Sequence, residues 1–272
     1  MIEHFDRRAF LGLTSTAVLG GLCGACSNGS HPPQPHSGNS HSSKPHWSYS
    51  GDTGPDHWAS LSNAYKVCAT GADQSPINIA SSEIKGTSSR VTLVYRPVSA
   101  TSVDNGHTLQ VNVDSGCTAI VDDTRYELRQ FHYHTPSDHT IDGKHRTVEW
   151  HFVHESVDKN LAVVAVLVNL GTQNTAFAEI LSHPPDKNGD RLRLTSPVDV
   201  AAMMPSDLSA LRYQGSLSTP PCTEGVKWIV LRSAVEMSSD QVAVVQHVLN
   251  NNDRPVQPLN GRSLQRAAVT VE

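Results

Sequence analysis

At 272 residues, 38% of them hydrophobic and 17% charged, the chain has the make-up of a globular protein with room for a large core. A net charge of −5, with no cluster of lysines and arginines, argues against nucleic acid and against an anionic membrane surface as partners. The longest apolar run, "LAVVAVLV" from Leu161, has the length of a buried strand and is too short to span a bilayer.

In chain order, residues 1–26 read as an export signal. A twin arginine (Arg7, Arg8) and Phe10-Leu11 precede a short small-residue segment whose glycines oppose a stable helix. The segment ends in "LCGAC", which resembles a lipoprotein cleavage box with Cys26 as the candidate lipid-bearing residue. Cys23 stands where such boxes carry an aliphatic side chain. Residues 27–46, "SNGSHPPQPHSGNSHSSKPH", hold too little apolar surface to fold and read as a disordered tether. Its histidines, His31, His36, His41 and His46, recur every five residues. Such a tract can chelate transition metals loosely, but a hydrated spacer is the simpler reading. The expected protein is exported, periplasmic or at the cell surface, and meets a membrane only through a lipid anchor.

Residues 47–272 form the third region, where the hydrophobic period is mostly two. "RVTLVYR", "TLQVNV", "YELRQFHYH", "TVEWHFVH", "LAVVAVLVNL" and "KWIVLR" read as strands separated by Gly, Asp, Asn and Pro turns. Hairpin turns are expected before Tyr126 and at Asp142-Gly143. Two helices stand out, "TAFAEILSH" and "SSDQVAVVQHVLNN". The second is opened by a Ser238–Gln241 capping box and has Val242, Val245 and Leu249 as its inward stripe. The fold class is mainly β with a few helices. No GxGxxG, Walker loop or G-x-S-x-G elbow is present. Outside the leader, Cys68, Cys117 and Cys222 leave one cysteine unpaired, and spacing does not choose the pair.

Alternate side chains of a strand share a face, so His132 and His134 project together while Phe131, Tyr133 and Thr135 project oppositely. A lone His-x-His is weak evidence. His151, in "VEWHFVH" one hairpin later, adds a third imidazole, and three histidines leave the fourth position of a tetrahedral Zn2+ open for water. Gln130 and Glu149, each two residues before a ligand, share its face and are suited to accept its second ring N–H.

The ordered series "HWSYSGDTGPDHW", "QSPINI", "NGHTLQV", "QFHYH", "VEWHFVH", "GSLSTPPCTEGVKW" and "NNDRPVQPLN" resembles the α-class carbonic anhydrases of bacterial type, from Trp47 to about Leu264. The resemblance implies a single domain around a large, twisted, mostly antiparallel sheet, with zinc at the bottom of a cleft. It also implies reversible hydration of carbon dioxide to bicarbonate and a proton, by zinc-bound hydroxide. The matching positions make His132, His134 and His151 the zinc ligands and His107 the proton shuttle. Val153, Val163, Leu217, Thr219 and Trp228 become the substrate wall, and Tyr49 and Asn105 the residues that order water. Cys68 and Cys222 match the family's disulfide, which leaves Cys117 free. Carbon dioxide, water and bicarbonate are then the partners.

Two positions depart from the family. Ser218 stands where the gatekeeping hydroxyl is usually threonine, and Asp138 where its carboxylate partner is usually glutamate. Serine is freer about χ1, and aspartate draws its oxygens back by about 1.5 Å, so a working but slowed dyad is expected. His139, His154 and His57 read as satisfied structural histidines, and His145, His183 and His247 as surface residues. The alternatives are a catalytically weakened carbonic-anhydrase-like binding module and a periplasmic zinc-handling lipoprotein.

Overall fold

Alternating side chains from Val91 onward build one large sheet, seen in a computed structural model that describes residues 45–87, 90–185 and 187–272. The readings made on Arg7, Arg8, Cys26 and the first three tether histidines lie outside the described residues. Ten strands carry the architecture: β1 (Val91–Val94), β2 (Ala100–Asp104), β3 (Leu109–Val113), β4 (Thr118–Val121), β5 (Thr124–His134), β6 (Val148–Glu155), β7 (Leu161–Leu170), β8 (Ser209–Ser216), β9 (Glu224–Leu231) and β10 (Leu264–Val271). Their hydrogen-bonded order is β2-β3-β5-β4-β1-β10-β8-β9-β7-β6, and β6 also pairs with β5, so the path returns to the strand that bears the paired histidines. Most pairings are antiparallel; β7 with β9 and β10 with β1 run parallel.

Local chemistry explains the turns. Asp122 and Asp123 take left-handed φ values of 50° and 60° between β4 and β5, as a two-residue hairpin turn requires. Asp142 (φ 48°) and Gly143 (φ 77°) do the same further on. β7 lacks a polar alternation because both its faces are covered. Val164, Val166 and Val168 enter the larger apolar cluster, while Val163, Ala165 and Leu167 enter a second one.

"TAFAEILSH" forms a 3-10 turn, Thr175–Phe177, running into a short α-helix, Ala178–Ser182. The helix Ser239–Val248 opens with the expected capping box. Its inward stripe differs from expectation. Leu249 is half-buried and extended just past the helix end, and its place is taken by Gln241, whose amide bonds the backbone N–H and carbonyl of Asn174. A buried amide with both bonds made costs little, so a polar residue can serve as an anchor there.

A third cluster places Trp58, Tyr65 and the Cys68–Cys222 disulfide together, with Trp47 and Tyr49 packed against them. The bond spans 154 residues and ties the N-terminal segment to the loop that follows Ser218. Cys117 is free and buried.

Candidate metal centre and active site

The pleat divides β5 and β6 cleanly. Phe131, Tyr133, Trp150 and Phe152 point into the main core, and His132, His134, Glu149 and His151 point the other way. Register does the rest, since His151 lies directly opposite His132, which in turn lies opposite Gln110 on β3. The three imidazoles sit with ring centroids 4.6 to 5.3 Å apart. One nitrogen from each lies within 4.8 Å of the others.

The second nitrogen of each ring is occupied. His132 Nδ1 donates to Gln130 Oε1 (2.8 Å), His134 Nδ1 to the Asn252 carbonyl (2.6 Å), and His151 Nε2 to Glu149 Oε1 (3.0 Å). These bonds select the tautomers that leave His132 Nε2, His134 Nε2 and His151 Nδ1 with free lone pairs. His134 Nε2 is buried and has no hydrogen-bond partner among the described residues. An orphaned buried nitrogen is costly unless a ligand takes its lone pair, so the donor set fits a metal ion. Burial, then the neighbouring imidazoles His134 and His151, hold the pKa of His132 well below the ordinary value. Burial also lowers that of His151, against the opposing pull of Glu149. Both rings are thereby kept neutral, the state a metal requires.

Glu149 is fully buried and accepts three bonds, from the His139 backbone N–H (2.7 Å), His139 Nδ1 (2.6 Å) and His151 Nε2 (3.0 Å). Burial alone would raise its pKa. His139 and His151 overcome that and hold it well below the usual carboxylate range. His139 bonds the Tyr213 hydroxyl (2.7 Å) through its other nitrogen, a buried structural role.

The free nitrogens open into a cavity of about 230 Å³. Val153, Val163, Leu217 and Trp228 line one part of it, with Thr219 and Ser218 beside them; Tyr49, Asn105 and His107 line the rest. His107 is half-buried and stacks on Trp47, with centroids 3.7 Å apart and planes within 6°. Asn105 Oδ1 accepts from the backbone N–H groups of His107 and Thr108, both at 2.9 Å, and so shapes the turn that presents the ring. Burial, then His46, lowers the pKa of His107; Asp104 opposes.

Asp138 is sealed from solvent and Ser218 lies at the cavity wall, but no direct hydrogen bond joins them among the described residues. Asp138 Oδ1 accepts from the Arg254 backbone N–H (2.9 Å) and lies 3.5 Å from His134 Nδ1, whereas Oδ2 is buried and has no hydrogen-bond partner among the described residues. The Arg254 guanidinium is held by Gln74 and by the carbonyls of Ser75 and Cys68.

Elsewhere, His154 is buried and bonded to the Tyr95 hydroxyl (2.8 Å), while His145, His183 and His247 are exposed. His57 departs from the structural reading. It is exposed at the end of a 3-10 turn, because the adjacent Trp58 takes the buried position. Trp47, Thr108, Gln110, Asn252 and Arg254 were not singled out from the sequence. All lie in or beside segments that carry the resemblance, but none belongs to a short chemical motif.

A sheet-walled cavity whose floor presents one nitrogen from each of three imidazoles could hold a metal ion. The profile of the eukaryotic-type carbonic anhydrases matches residues 53–268, and the chain belongs to that family. It is 40% identical over 220 residues to a carbonic anhydrase of Klebsiella pneumoniae (80% of this chain, 89% of that one). It is 34% identical over 267 residues to one from a Nostoc species (96% and 98%). The α-carbonic anhydrase of Thermovibrio ammonificans, solved with the inhibitor sulfanilamide, shares the fold at a TM-score of 0.80 and 40% identity, covering 82% of this chain and all of that one. The chain is accordingly an enzyme of reversible carbon dioxide hydration, and the reading as a non-catalytic module is not favoured. Among the described residues no helix is long and apolar enough to cross a membrane.

Proposed function

We propose that the metal is zinc, held by His132 Nε2, His134 Nε2 and His151 Nδ1, and that this site hydrates carbon dioxide with His107 as proton shuttle. The observation that carries the reading is the buried, unpartnered His134 Nε2 between two other free imidazole nitrogens. Zinc in such a site acts as a Lewis acid and lowers the pKa of a water it binds to about 7, the established figure for carbonic anhydrases themselves. Neutral imidazoles suit that task because they leave the ion its full charge.

The chain's own residues do the rest. Val153, Val163, Leu217 and Trp228 give an uncharged, weakly hydrated substrate an apolar surface that excludes competing water, and Thr219 adds a hydroxyl at its edge. Ser218 orients the attacking oxygen by accepting its proton in a hydrogen bond. Its partner in this reading is Asp138, whose Oδ2 has no hydrogen-bond partner among the described residues, with a water joining the two. Tyr49 and Asn105 order water between the floor and the mouth. His107 takes the released proton on a ring nitrogen through that water and loses it to bulk, as an imidazole can do in both directions. The leader, residues 1–26, exports the domain of residues 47–272, with 27–46 as spacer and Cys26 as the candidate anchor.

The test is metal content and carbon dioxide hydration of the full chain after chelation and zinc restoration, with His132→Ala alongside. Restored zinc at one ion per chain with full activity is expected, and neither in the variant. Activity indifferent to zinc or to the substitution overturns the assignment.

A further inference from the structure

Trp228 lines the metal cavity, so alternation along β9 turns Lys227 to the opposite face of the sheet. Register brings neighbours to it: Gln214 of β8 lies opposite Lys227, and Arg212 lies opposite Gln265 of β10. With Asp122 and Arg262, these residues line a second cavity of about 390 Å³, the size of a small-molecule site. Three cations meet one carboxylate among its described lining residues, in a chain whose net charge is −5.

Asp122, in the turn between β4 and β5, accepts from Arg212 at both oxygens (2.8 and 2.7 Å) and from Lys227 Nζ at Oδ2 (2.9 Å). One carboxylate therefore faces two cations, and Lys227 uses one of its three donors on it. Arg262 adds charge of another kind. Its side chain is only 7% exposed, and it donates to the carbonyls of Leu259, Gln214, Gln74 and Pro258 at 2.8 to 3.0 Å. Those acceptors are neutral, and the Asp73 carboxylate stands off at 3.7 Å from Nε. The guanidinium also lies over the Tyr213 ring, 5.6 Å from its centroid, which fixes it at the cavity wall. A concave site focuses such a field, so excess positive charge there draws an anion from solution.

We propose that this cavity binds a small oxyanion, a carboxylate or a phosphate, between Lys227, Arg212 and Arg262, with the Gln214 and Gln265 amides donating beside them. Ammonium and guanidinium groups suit either oxyanion, and the amides add neutral N–H donors. Asp122 acts in both directions, since it orients Arg212 and Lys227 but repels the ligand they attract. None of these residues lines the metal cavity, so the site is separate from the hydration chemistry.

The test is NMR titration of the zinc-loaded full chain with inorganic phosphate and with acetate, each against sodium chloride at equal ionic strength. The parent is compared with Lys227→Gln and Asp122→Asn; asparagine tolerates the left-handed φ of 50° at that turn, so the turn is kept. Backbone amides of Gln214, Lys227 and Gln265 report this site, whereas an anion at the metal shifts His132 and His134. Saturable shifts at the first set are expected with at least one oxyanion, and the one that binds tighter identifies the class. Affinity should be about fivefold weaker in Lys227→Gln and about threefold tighter in Asp122→Asn, opposite signs that misfolding cannot produce. The site is overturned if neither oxyanion saturates, if chloride reproduces the shifts, or if either variant binds as the parent does.

Discussion

Replacing Asp138 with glutamate, together with Ser218→Thr, tests whether the shortened dyad limits the rate. Asp138 is fully buried, with one oxygen on the Arg254 N–H and the other unpartnered. A buried carboxylate oxygen without a donor costs about 1–3 kcal/mol, so a side chain that reaches one has energy to gain. The added methylene advances the carboxylate by about 1.5 Å, and the threonine methyl narrows the rotamers of the facing hydroxyl. If the restored bond favours the transition state by about 1.4 kcal/mol, kcat/KM rises roughly tenfold. Against this, a methylene inserted into a packed site costs about 1–3 kcal/mol of stability. That corresponds to a Tm lower by several degrees, at about 2–4 °C per kcal/mol for a domain of this size. Stopped-flow hydration and calorimetry together separate the effects: faster turnover at a lower Tm is expected. An unchanged or slower rate in a folded variant would refute the reasoning and show that Asp138 and Ser218 are adapted to each other.

Glu149→Gln places an amide NH2 against at least one of three fixed donors, so His151 loses its orientation. Metal affinity should fall about 10- to 100-fold in competition with a chelator, and unchanged affinity would remove Glu149 from the metal site. Burial pushes the pKa of His154 down to about 4 from 6.5, so the unfolded chain binds a proton that the native state refuses. Stability is whole above pH 6.5 and is lost as pH falls toward 4, by about 3 kcal/mol. Urea midpoints across that window should slope less in His154→Gln, and an equal slope would assign the acid sensitivity elsewhere. Serine at both Cys68 and Cys222 frees a 154-residue loop, worth about 5 kcal/mol in the chain-entropy model. A denaturant midpoint insensitive to the double change would show that the N-terminal cluster holds without the bond.

What could be read in the chain follows the range of the interaction. His132 and His134 share a face by strand period alone, and Gln130 and Glu149 follow at two residues' distance, so that half of the site is local. His151 could be offered as a third imidazole from one hairpin's distance, but its place directly opposite His132 is a matter of register between strands that the folded chain fixes. Asn252 and Arg254 lie in a stretch that carries the resemblance, but they act on partners more than 100 residues away, so only the folded chain reveals what they do. Leu249 misled because its spacing suits a helix that ends one residue earlier. His57 misled because a histidine beside a buried tryptophan on a short turn takes the outward side.

Asn252 bears on more than one ligand. Its Nδ2 donates to the carbonyls of His107 and Tyr133, its Oδ1 accepts from the Thr135 N–H, and its own carbonyl receives His134 Nδ1–H. One side chain and one peptide unit therefore tie the turn that carries His107 to the strand that carries His134, and fix the two histidines relative to each other. Under the proposed mechanism, a change at Asn252 would therefore be felt at the ligand and at the shuttle together, although its side chain belongs to neither.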